Sequence, residues 1–144
     1  MARIAINGFG RIGRIFFRQM FGARGFDIVA VNDLGDRENL AYLLKYDTVY
    51  GQFPKEIRGS TRIERGLTRN YLVVDRKEIT LLQEEDPTQL PWKELDVDIV
   101  VEATGVFETY EKAKAHLAAG AKRVVITAPA KDPEKSPDGD LGAS

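Results

Sequence analysis

Short runs of apolar residues alternate along this chain with longer segments in which apolar residues recur every three or four positions. The runs occupy residues 3–7, 27–32, 98–102 and 124–126. Apolar residues follow one another in these runs, which is typical of strands buried on both faces of a parallel sheet. The segments with helical spacing are predicted to be amphipathic helices, and they occupy residues 11–21, 36–46 and 109–119.

The order of these elements predicts an α/β fold with a mainly parallel sheet. Two further short strands, at residues 71–74 and 78–83, flank a turn at residues 75–77 and are predicted to form an inserted β-hairpin. Residues 47–66 show no clear pattern and contain glycine and proline breakers. Residues 91–95 are predicted to form a single helical turn. Asp36 is a candidate N-cap for the second helix.

The end of the chain has a different composition. Residues 131–144 contain two prolines and two glycines among charged residues, with almost no apolar side chains. Such a composition cannot bury enough apolar surface to offset the entropy of ordering. We therefore expect one domain at residues 1–130, followed by a flexible polar tail at residues 131–144.

The composition of the chain argues against several classes of function. The 144 residues carry a formal net charge of −1, so no bulk field attracts nucleic acid or an anionic membrane. No segment approaches the ~20 apolar residues that span a bilayer, and no signal peptide is visible. We therefore expect a cytoplasmic protein with no membrane partner. The chain contains no cysteine, which excludes disulfides, thiolate metal ligands and a cysteine nucleophile within these residues.

A glycine-rich sequence follows the first predicted strand and opens the first predicted helix. Gly8, Gly10 and Gly13 have the G-x-G-x-x-G spacing of dinucleotide-binding folds. The first glycine permits a tight turn, the second lets backbone approach a pyrophosphate, and the third lets the helix pack closely on the strand. The N–H groups of Arg11 and Ile12 then offer the phosphates the positive end of the helix dipole.

An acidic residue lies where such a fold needs one. Asp33 follows the second predicted strand, 20 residues after Gly13, and can accept hydrogen bonds from ribose hydroxyls. Its charge repels a 2′-phosphate, and the neighbouring Leu34 offers no cation, so NAD is favoured over NADP. These residues predict a Rossmann-type, doubly wound domain that binds NAD. The alternative is a turn without a ligand and an aspartate that only caps a helix.

Longer motifs add a resemblance to a known family. They are AINGFGRIGR at 5–14, VNDL at 31–34, LKYD at 44–47, LPW at 90–92, EATGVF at 102–107 and GAKRVVITAP at 120–129. Together they closely resemble, in the same order, the N-terminal part of phosphorylating glyceraldehyde-3-phosphate dehydrogenase, an NAD-dependent oxidoreductase of glycolysis. The resemblance covers residues 3–132.

The resemblance implies a cofactor site residue by residue. It places the backbone of Arg11 and Ile12 at the pyrophosphate, Asp33 at the adenosine ribose, and residues 84–85 beside the adenine. Thr127 is implied near the nicotinamide. The full implied set is Asn7, Gly8, Gly10, Arg11, Ile12, Gly13, Asp33, Glu85, Thr104, Gly105, Phe107 and Thr127. No catalytic residue and no metal site are predicted.

Two positions depart from the family pattern. The family usually has arginine where this chain has Glu85, and it often has Ser-x-His-Gly where this chain has Thr-Val-Tyr-Gly at residues 48–51. A backbone contact to the adenine tolerates the change at Glu85, whereas a side-chain contact predicts weaker adenine binding. No role is carried over to Tyr50.

The resemblance also implies chemistry that these residues cannot supply alone. The family uses a cysteine thiolate to attack an aldehyde and a histidine to activate it, and the resemblance places both beyond Ser144. We therefore expect NAD binding without turnover. In the family a C-terminal helix packs on this domain, so an open apolar groove and self-association are expected.

Two alternatives stay open. The chain could be half of a split dehydrogenase that is completed by a catalytic-domain polypeptide. It could also be an interaction module for protein or nucleic acid, on the basis of a basic stretch at Arg58, Arg62, Arg65 and Arg69. That stretch lacks interleaved aromatic residues, which disfavours nucleic acid.

The remaining histidine and acidic residues that could take part in catalysis or metal binding are predicted to have neither role. The only histidine, His116, is predicted to be partly exposed on the third helix. Glu84, Glu85 and Asp86 are predicted to form a solvated end of the hairpin, since an oxygen-ligand metal site needs more ligands at set spacing.

Overall fold

The computed structural model describes residues 1–47, 51–104 and 109–127. Its helices are α1 (Arg11–Met20), α2 (Arg37–Lys45) and α3 (Thr109–Ala118), with a 3₁₀ turn at Pro87–Gln89. Its strands are β1 (Ala2–Asn7), β2 (Phe26–Asn32), β3 (Tyr46–Asp47), β4 (Gly51–Gln52), β5 (Ile57–Glu64), β6 (Leu67–Val74), β7 (Lys77–Leu82), β8 (Ile99–Glu102) and β9 (Arg123–Ile126).

Seven strands form one sheet in the order β5-β6-β7-β2-β1-β8-β9. The strands from β7 to β9 in this order are parallel, whereas β5, β6 and β7 are joined antiparallel. The order leads outward from β1 in both directions, which is the arrangement of a doubly wound fold. The predicted Rossmann-type α/β architecture is therefore confirmed. Strands β3 and β4 form a small separate pair.

The sheet separates two apolar cores. In β1, Ile4 and Ile6 contribute to one core, which contains Phe17 of α1, while Ala5 contributes to the other, which contains Trp92. This division follows from the alternation of side chains along a strand. Burial on both faces explains why the parallel strands appear in the sequence as continuous apolar runs.

The three helices lie within the predicted segments, and the predicted cap of α2 is confirmed. The Asp36 carboxylate accepts a hydrogen bond from the backbone N–H of Asn39 at 3.1 Å, which satisfies one of the free donors of the first turn. Leu40 and Leu44 are buried on one face of the helix. The predicted helical turn at residues 91–95 is present as a hydrogen bond from Leu95 N to Pro91 O of 2.9 Å.

The inserted hairpin is larger than predicted. Strand β5 occupies Ile57–Glu64, within the segment that showed no pattern, and β6 begins at Leu67 rather than at Tyr71. Strand β5 lies at the edge of the sheet and has no fully buried residue. An edge strand of this kind carries few apolar residues, so it leaves no alternating signal in the sequence.

The turn between β6 and β7 lies where the sequence places it. Asp75 and Arg76 have φ angles of +51° and +73°. Positive φ at both central residues is the type I′ geometry, whose twist matches that of a two-stranded antiparallel ribbon. The insertion is thus a three-stranded meander that extends the parallel sheet on one side.

Some sequence predictions concern residues outside the described part of the chain. They include the polar tail at residues 131–144, the end of the domain at residue 130, and Tyr50, Gly105 and Phe107. Within the described part, no helix is long and apolar enough to cross a membrane.

Candidate functional site

Strands β1, β2 and β8 end in polar residues at the same level of the sheet. Asn7 pairs in register with Asn32 on one side and with Glu102 on the other. Open α/β sheets bind ligands at this edge, outside the carboxyl ends of the strands. A cleft of about 300 Å³ lies here, lined by Asn7, Gly8, Asn32, Asp33, Leu34, Glu84, Glu85, Pro87 and Thr104.

The three glycines between the end of β1 and the first turn of α1 have different surroundings. Gly8 has a φ of +99°, and a Cβ there would lie 2.8 Å from the backbone nitrogen of Thr104. A Cβ at Gly13 would overlap the carbonyl oxygen of Gly8. At Gly10, a Cβ would meet no heavy atom of the described residues within 4 Å. Gly8 and Gly13 therefore permit close packing of the turn, whereas Gly10 leaves open space beside the backbone.

Asp33 holds this glycine turn against the end of β2. Its Oδ2 accepts a hydrogen bond from the backbone N–H of Phe9 at 2.7 Å, and its Oδ1 accepts one from Gly35 N at 2.8 Å. A carboxylate has about four acceptor sites. The half-buried Asp33 thus keeps acceptor capacity on the side that faces the cleft.

The turn is further anchored from within. The N–H of Gly8 donates to Asn32 O at 2.8 Å, and an Arg14 guanidinium nitrogen donates to Phe9 O at 3.0 Å. The buried Phe9 ring packs edge-on against Phe17, with ring centroids 5.7 Å apart. These contacts fix the backbone before any ligand is present.

The residues predicted at the helix start lie beside the turn but do not line the cleft itself. Gly10 is the N-cap of α1 and supplies no side-chain cap. Arg11 and Ile12 form the exposed first turn of the helix, where the backbone N–H groups have no intrahelical acceptor. Thr127 lies after β9, with its backbone N and its Oγ1 each 3.2 Å from Glu102 O.

The side-chain amide of Asn32 holds the wall of the cleft at Glu84 and Glu85 in place. Asn32 Oδ1 accepts from Glu84 N at 2.8 Å, and Asn32 Nδ2 donates to Glu84 O at 3.0 Å. These two hydrogen bonds hold the Glu84 backbone, which follows β7, in the way that backbone pairing with a neighbouring strand would. The neighbouring Glu85 is exposed and adds a negative charge to the wall.

A buried polar cluster behind the cleft was not predicted from the sequence. Glu102 Oε1 accepts from Asn7 Nδ2 and from His116 Nε2, each at 2.8 Å. Glu102 Oε2 accepts from Thr104 N at 3.1 Å and from Thr104 Oγ1 at 2.5 Å. Trp92 Nε1 donates to His116 Nδ1 at 3.0 Å. The predicted exposure of His116 is wrong, because the residue is 0% exposed.

The partners of His116 determine its tautomer. An indole N–H can only donate, so Nδ1 of His116 must accept from Trp92. The ring proton is therefore assigned to Nε2, which donates to Glu102. Burial raises the pKa of Glu102, but hydrogen bonds from His116, Thr104 and Asn7 outweigh burial and hold the pKa below its ordinary value.

One sequence signal could have identified part of this cluster. Asn7, Asn32 and Glu102 each follow directly on an apolar run, and parallel strands bring their carboxyl ends together. His116 carries no such signal, since its partners are 14 and 24 positions away in the chain.

Other predicted features are also placed by the structure. Within the described ranges, no group of three or more His, Cys, Asp or Glu residues could hold a metal ion. In the basic stretch, Arg62 forms ion pairs with Glu64 and Glu78, and its guanidinium lies 4.4 Å from the centre of the Tyr71 ring. Arg69 pairs with Glu64 as well.

Comparisons with known proteins agree with this geometry. The family described as "Glyceraldehyde 3-phosphate dehydrogenase, NAD binding domain" matches residues 2–110. A curated glyceraldehyde-3-phosphate dehydrogenase from Thermotoga maritima is 54% identical over 133 residues, which is 91% of this chain and 38% of the relative. One from Mycoplasma pneumoniae is 50% identical over 129 residues, 90% of this chain and 36% of the relative. The chain thus spans little more than a third of these relatives.

Proposed function

The chain belongs to the glyceraldehyde-3-phosphate dehydrogenase family, of which it contains the NAD-binding domain, and on this premise we propose that the cleft beside the glycine turn holds the cofactor. One observation supports this site: the same edge of the sheet has open space beside Gly10 and a carboxylate at Asp33. The first suits a pyrophosphate and the second suits a ribose.

The proposed site runs along the carboxyl ends of the strands. The remaining acceptor sites of Asp33 bind the adenosine ribose hydroxyls, and the wall at Glu84 and Glu85 lies beside the adenine. The pyrophosphate lies on the backbone at Gly10 and the first turn of α1. We carry over Asn7, Gly8, Gly13, Thr104, Gly105, Phe107 and Thr127 as further cofactor-site residues.

Within this arrangement the chain's own residues bind and orient the cofactor. NAD, when bound, supplies the two-electron acceptor for an oxidation. The exposed Leu34 and the charge of Asp33 disfavour a 2′-phosphate, so we propose NAD rather than NADP as the preferred ligand.

Titration calorimetry of the 144-residue chain with NAD, NADP and AMP tests this proposal. We expect binding of NAD and AMP, and binding of NADP at least about tenfold weaker, because a dianionic phosphate beside a carboxylate is repelled. The absence of NAD binding at millimolar cofactor contradicts the proposed site. Equal affinities for NAD and NADP contradict the proposed role of Asp33.

We further propose that these residues do not complete the dehydrogenase reaction alone. They contain no cysteine, and the family resemblance assigns the attack on the aldehyde to a cysteine thiolate. An assay of NADH formation from glyceraldehyde-3-phosphate, phosphate and NAD is expected to show no turnover. Turnover by the purified chain refutes this part of the proposal. The resemblance also implies a cytoplasmic location.

Self-association is the remaining part of the proposal. Apolar side chains that the structure leaves at least 46% exposed support it: Met1, Ile12, Leu34, Tyr42, Tyr46, Ile63, Leu67 and Leu117. Exposed apolar surface favours association when it is contiguous. Sedimentation equilibrium over a range of concentrations is expected to show a species heavier than 16.1 kDa. A monomer at all concentrations refutes it.

A further inference from the structure

The buried cluster around Glu102 connects to every strand end that lines the cleft. Glu102 receives a hydrogen bond from Asn7 at the end of β1. Asn7 Oδ1 in turn accepts from Asn32 Nδ2 at 2.7 Å, at the end of β2. Asn32 clamps the peptide of Glu84 after β7. On the other side, Glu102 binds both polar groups of Thr104.

These links matter because the same side chains form the cleft surface. Asn7, Asn32, Glu84 and Thr104 all line the cleft, and Thr104 also lies against Gly8 of the glycine turn. Their positions are set by one chain of hydrogen bonds that passes through the Glu102 carboxylate. In a low-dielectric interior such a chain is cooperative, and a missing donor is costly.

His116, like Glu102 and Trp92, belongs to the chain of hydrogen bonds but does not line the cleft. It lies on α3, is fully buried, and contributes one donor to Glu102 and one acceptor to Trp92. Asn7 Nδ2 and His116 Nε2 are 3.3 Å apart, and both donate to the same carboxylate oxygen. A change in one donor therefore shifts the acceptor that the other uses.

We propose that His116, acting through Glu102, is a positioning residue of the cofactor cleft: its Nε2–H orients the carboxylate that sets Asn7, Asn32 and Thr104 for cofactor binding. This inference rests on the proposed NAD site and extends it to a residue with no cofactor contact. A supporting residue of this kind alters affinity because the contacting side chains lose their preset geometry.

Two substitutions test the roles of the two His116 ring nitrogens separately. His116→Gln can place an amide N–H near the position of Nε2, which keeps the donor to Glu102. His116→Asn can place its oxygen near the position of Nδ1, which keeps the acceptor for Trp92 and loses that donor. Both remove the ring from the same cavity, so both lower folding stability. Only the loss of the donor is expected to weaken NAD binding.

The experiment is titration calorimetry with NAD on the wild-type chain and the two variants, at a temperature where circular dichroism shows each to be folded. We expect the Kd of His116→Gln within about twofold of wild type, and that of His116→Asn roughly tenfold higher, the effect of one lost charge-assisted hydrogen bond. Val97→Ala is the matched control. The Val97 side chain is buried in the same core as Trp92 and has no hydrogen-bonding group, and the substitution keeps the backbone N–H that donates to Trp92 O at 2.9 Å, so we expect this variant to lose stability with an unchanged Kd.

Equal Kd values for the two His116 variants overturn the inference. If His116→Asn does not fold, Glu102→Gln serves in its place, because it keeps the shape and removes acceptor capacity. An unchanged Kd for NAD in Glu102→Gln also overturns the inference. Absence of NAD binding by the wild-type chain instead refutes the proposed cofactor site, so the two failures are distinguishable.

A measurement on the wild-type chain tests the geometry without any variant. His116 is the only histidine, so its ¹⁵N resonances are assigned without ambiguity. We expect the Nε2–H tautomer, with a through-hydrogen-bond or proximity signal between the Trp92 indole N–H and the His116 ring. The Nδ1–H tautomer excludes the donor to Glu102 and overturns the inference whatever the affinity data show.

Discussion

Replacing Gly10 with alanine separates cofactor binding from the stability of the fold. Within the part of the chain that the structure describes, a Cβ at Gly10 meets no heavy atom within 4 Å. The residue has a φ of −77° and extended backbone, which any L-residue adopts. Alanine is a poorer N-cap than glycine by roughly 0.5–1 kcal/mol. We therefore expect the free energy of unfolding to fall by no more than about 1 kcal/mol.

The same methyl group is expected to have a larger effect on binding. In the proposed site it occupies the open space through which the pyrophosphate approaches the backbone. We expect the Kd for NAD to rise at least about tenfold, which corresponds to about 1.4 kcal/mol. Binding of AMP depends less on this space, because its single phosphate is not extended along the first turn of the helix.

Gly13→Ala is the contrasting variant. Its Cβ would overlap the carbonyl oxygen of Gly8, so α1 cannot keep its distance from β1. Overpacking of this kind costs about 1–3 kcal/mol or more. Urea unfolding followed by circular dichroism gives the stabilities, and titration calorimetry gives the affinities.

The reasoning is refuted by either of two results for Gly10→Ala. Wild-type affinity for NAD means that the pyrophosphate does not approach the backbone at this glycine. A stability loss equal to that of Gly13→Ala means that the space beside Gly10 is not open.

Three further predictions concern the charges of the site. Glu85→Arg is expected to tighten NAD binding by about threefold at low salt, and added salt is expected to screen this effect. Glu94→Arg makes the same charge change outside the cleft and is expected to leave NAD binding unchanged. Calorimetric titrations of both variants at two ionic strengths measure the difference. Asp33→Asn is expected to weaken NAD binding and to bring the NAD and NADP affinities closer, as competition titration measures. Burial raises the pKa of Glu102, but its hydrogen bonds lower the pKa by more, so the folded-state pKa lies below the unfolded-state pKa. The contribution of Glu102 to stability is therefore present above about pH 5 and is lost as the pH falls through the folded-state pKa. The difference in urea midpoint between wild type and Glu102→Gln is therefore expected to shrink between about pH 6 and pH 3.

The parallel part of the fold was predictable because its strands carry a strong signal. Burial on both faces demands consecutive apolar residues, as in Ile4, Ala5 and Ile6. Strand β5 gave no such signal, because its sequence IRGSTRIE is held by main-chain pairing with β6 rather than by burial. Its register is visible only when the partner strand is known.

The candidate site could be predicted from the sequence to the extent that its residues are close in sequence. Gly8, Gly10 and Gly13 lie between the end of β1 and the first turn of α1, and Asp33 follows β2 at a spacing that the fold determines. The environment of His116 depends on Trp92 and Glu102, which approach it only through tertiary packing. A histidine between apolar residues on a helix is compatible with exposure or burial until its partners are known.

The register of the sheet explains which of these residues contact the cofactor in the proposed site and which support it. Asn7, Asn32 and Glu102 form a row across three parallel strands, so they must pair with one another or bind a ligand. The carboxylate of Glu102 already accepts four hydrogen bonds, about the full capacity of a carboxylate, so it has none left for a ligand. Asp33 is one residue beyond the row, and among the described residues it accepts only from the backbone groups of Phe9 and Gly35. The spare acceptor capacity at the proposed ribose position is therefore at Asp33, while the row behind it holds the strand ends in place.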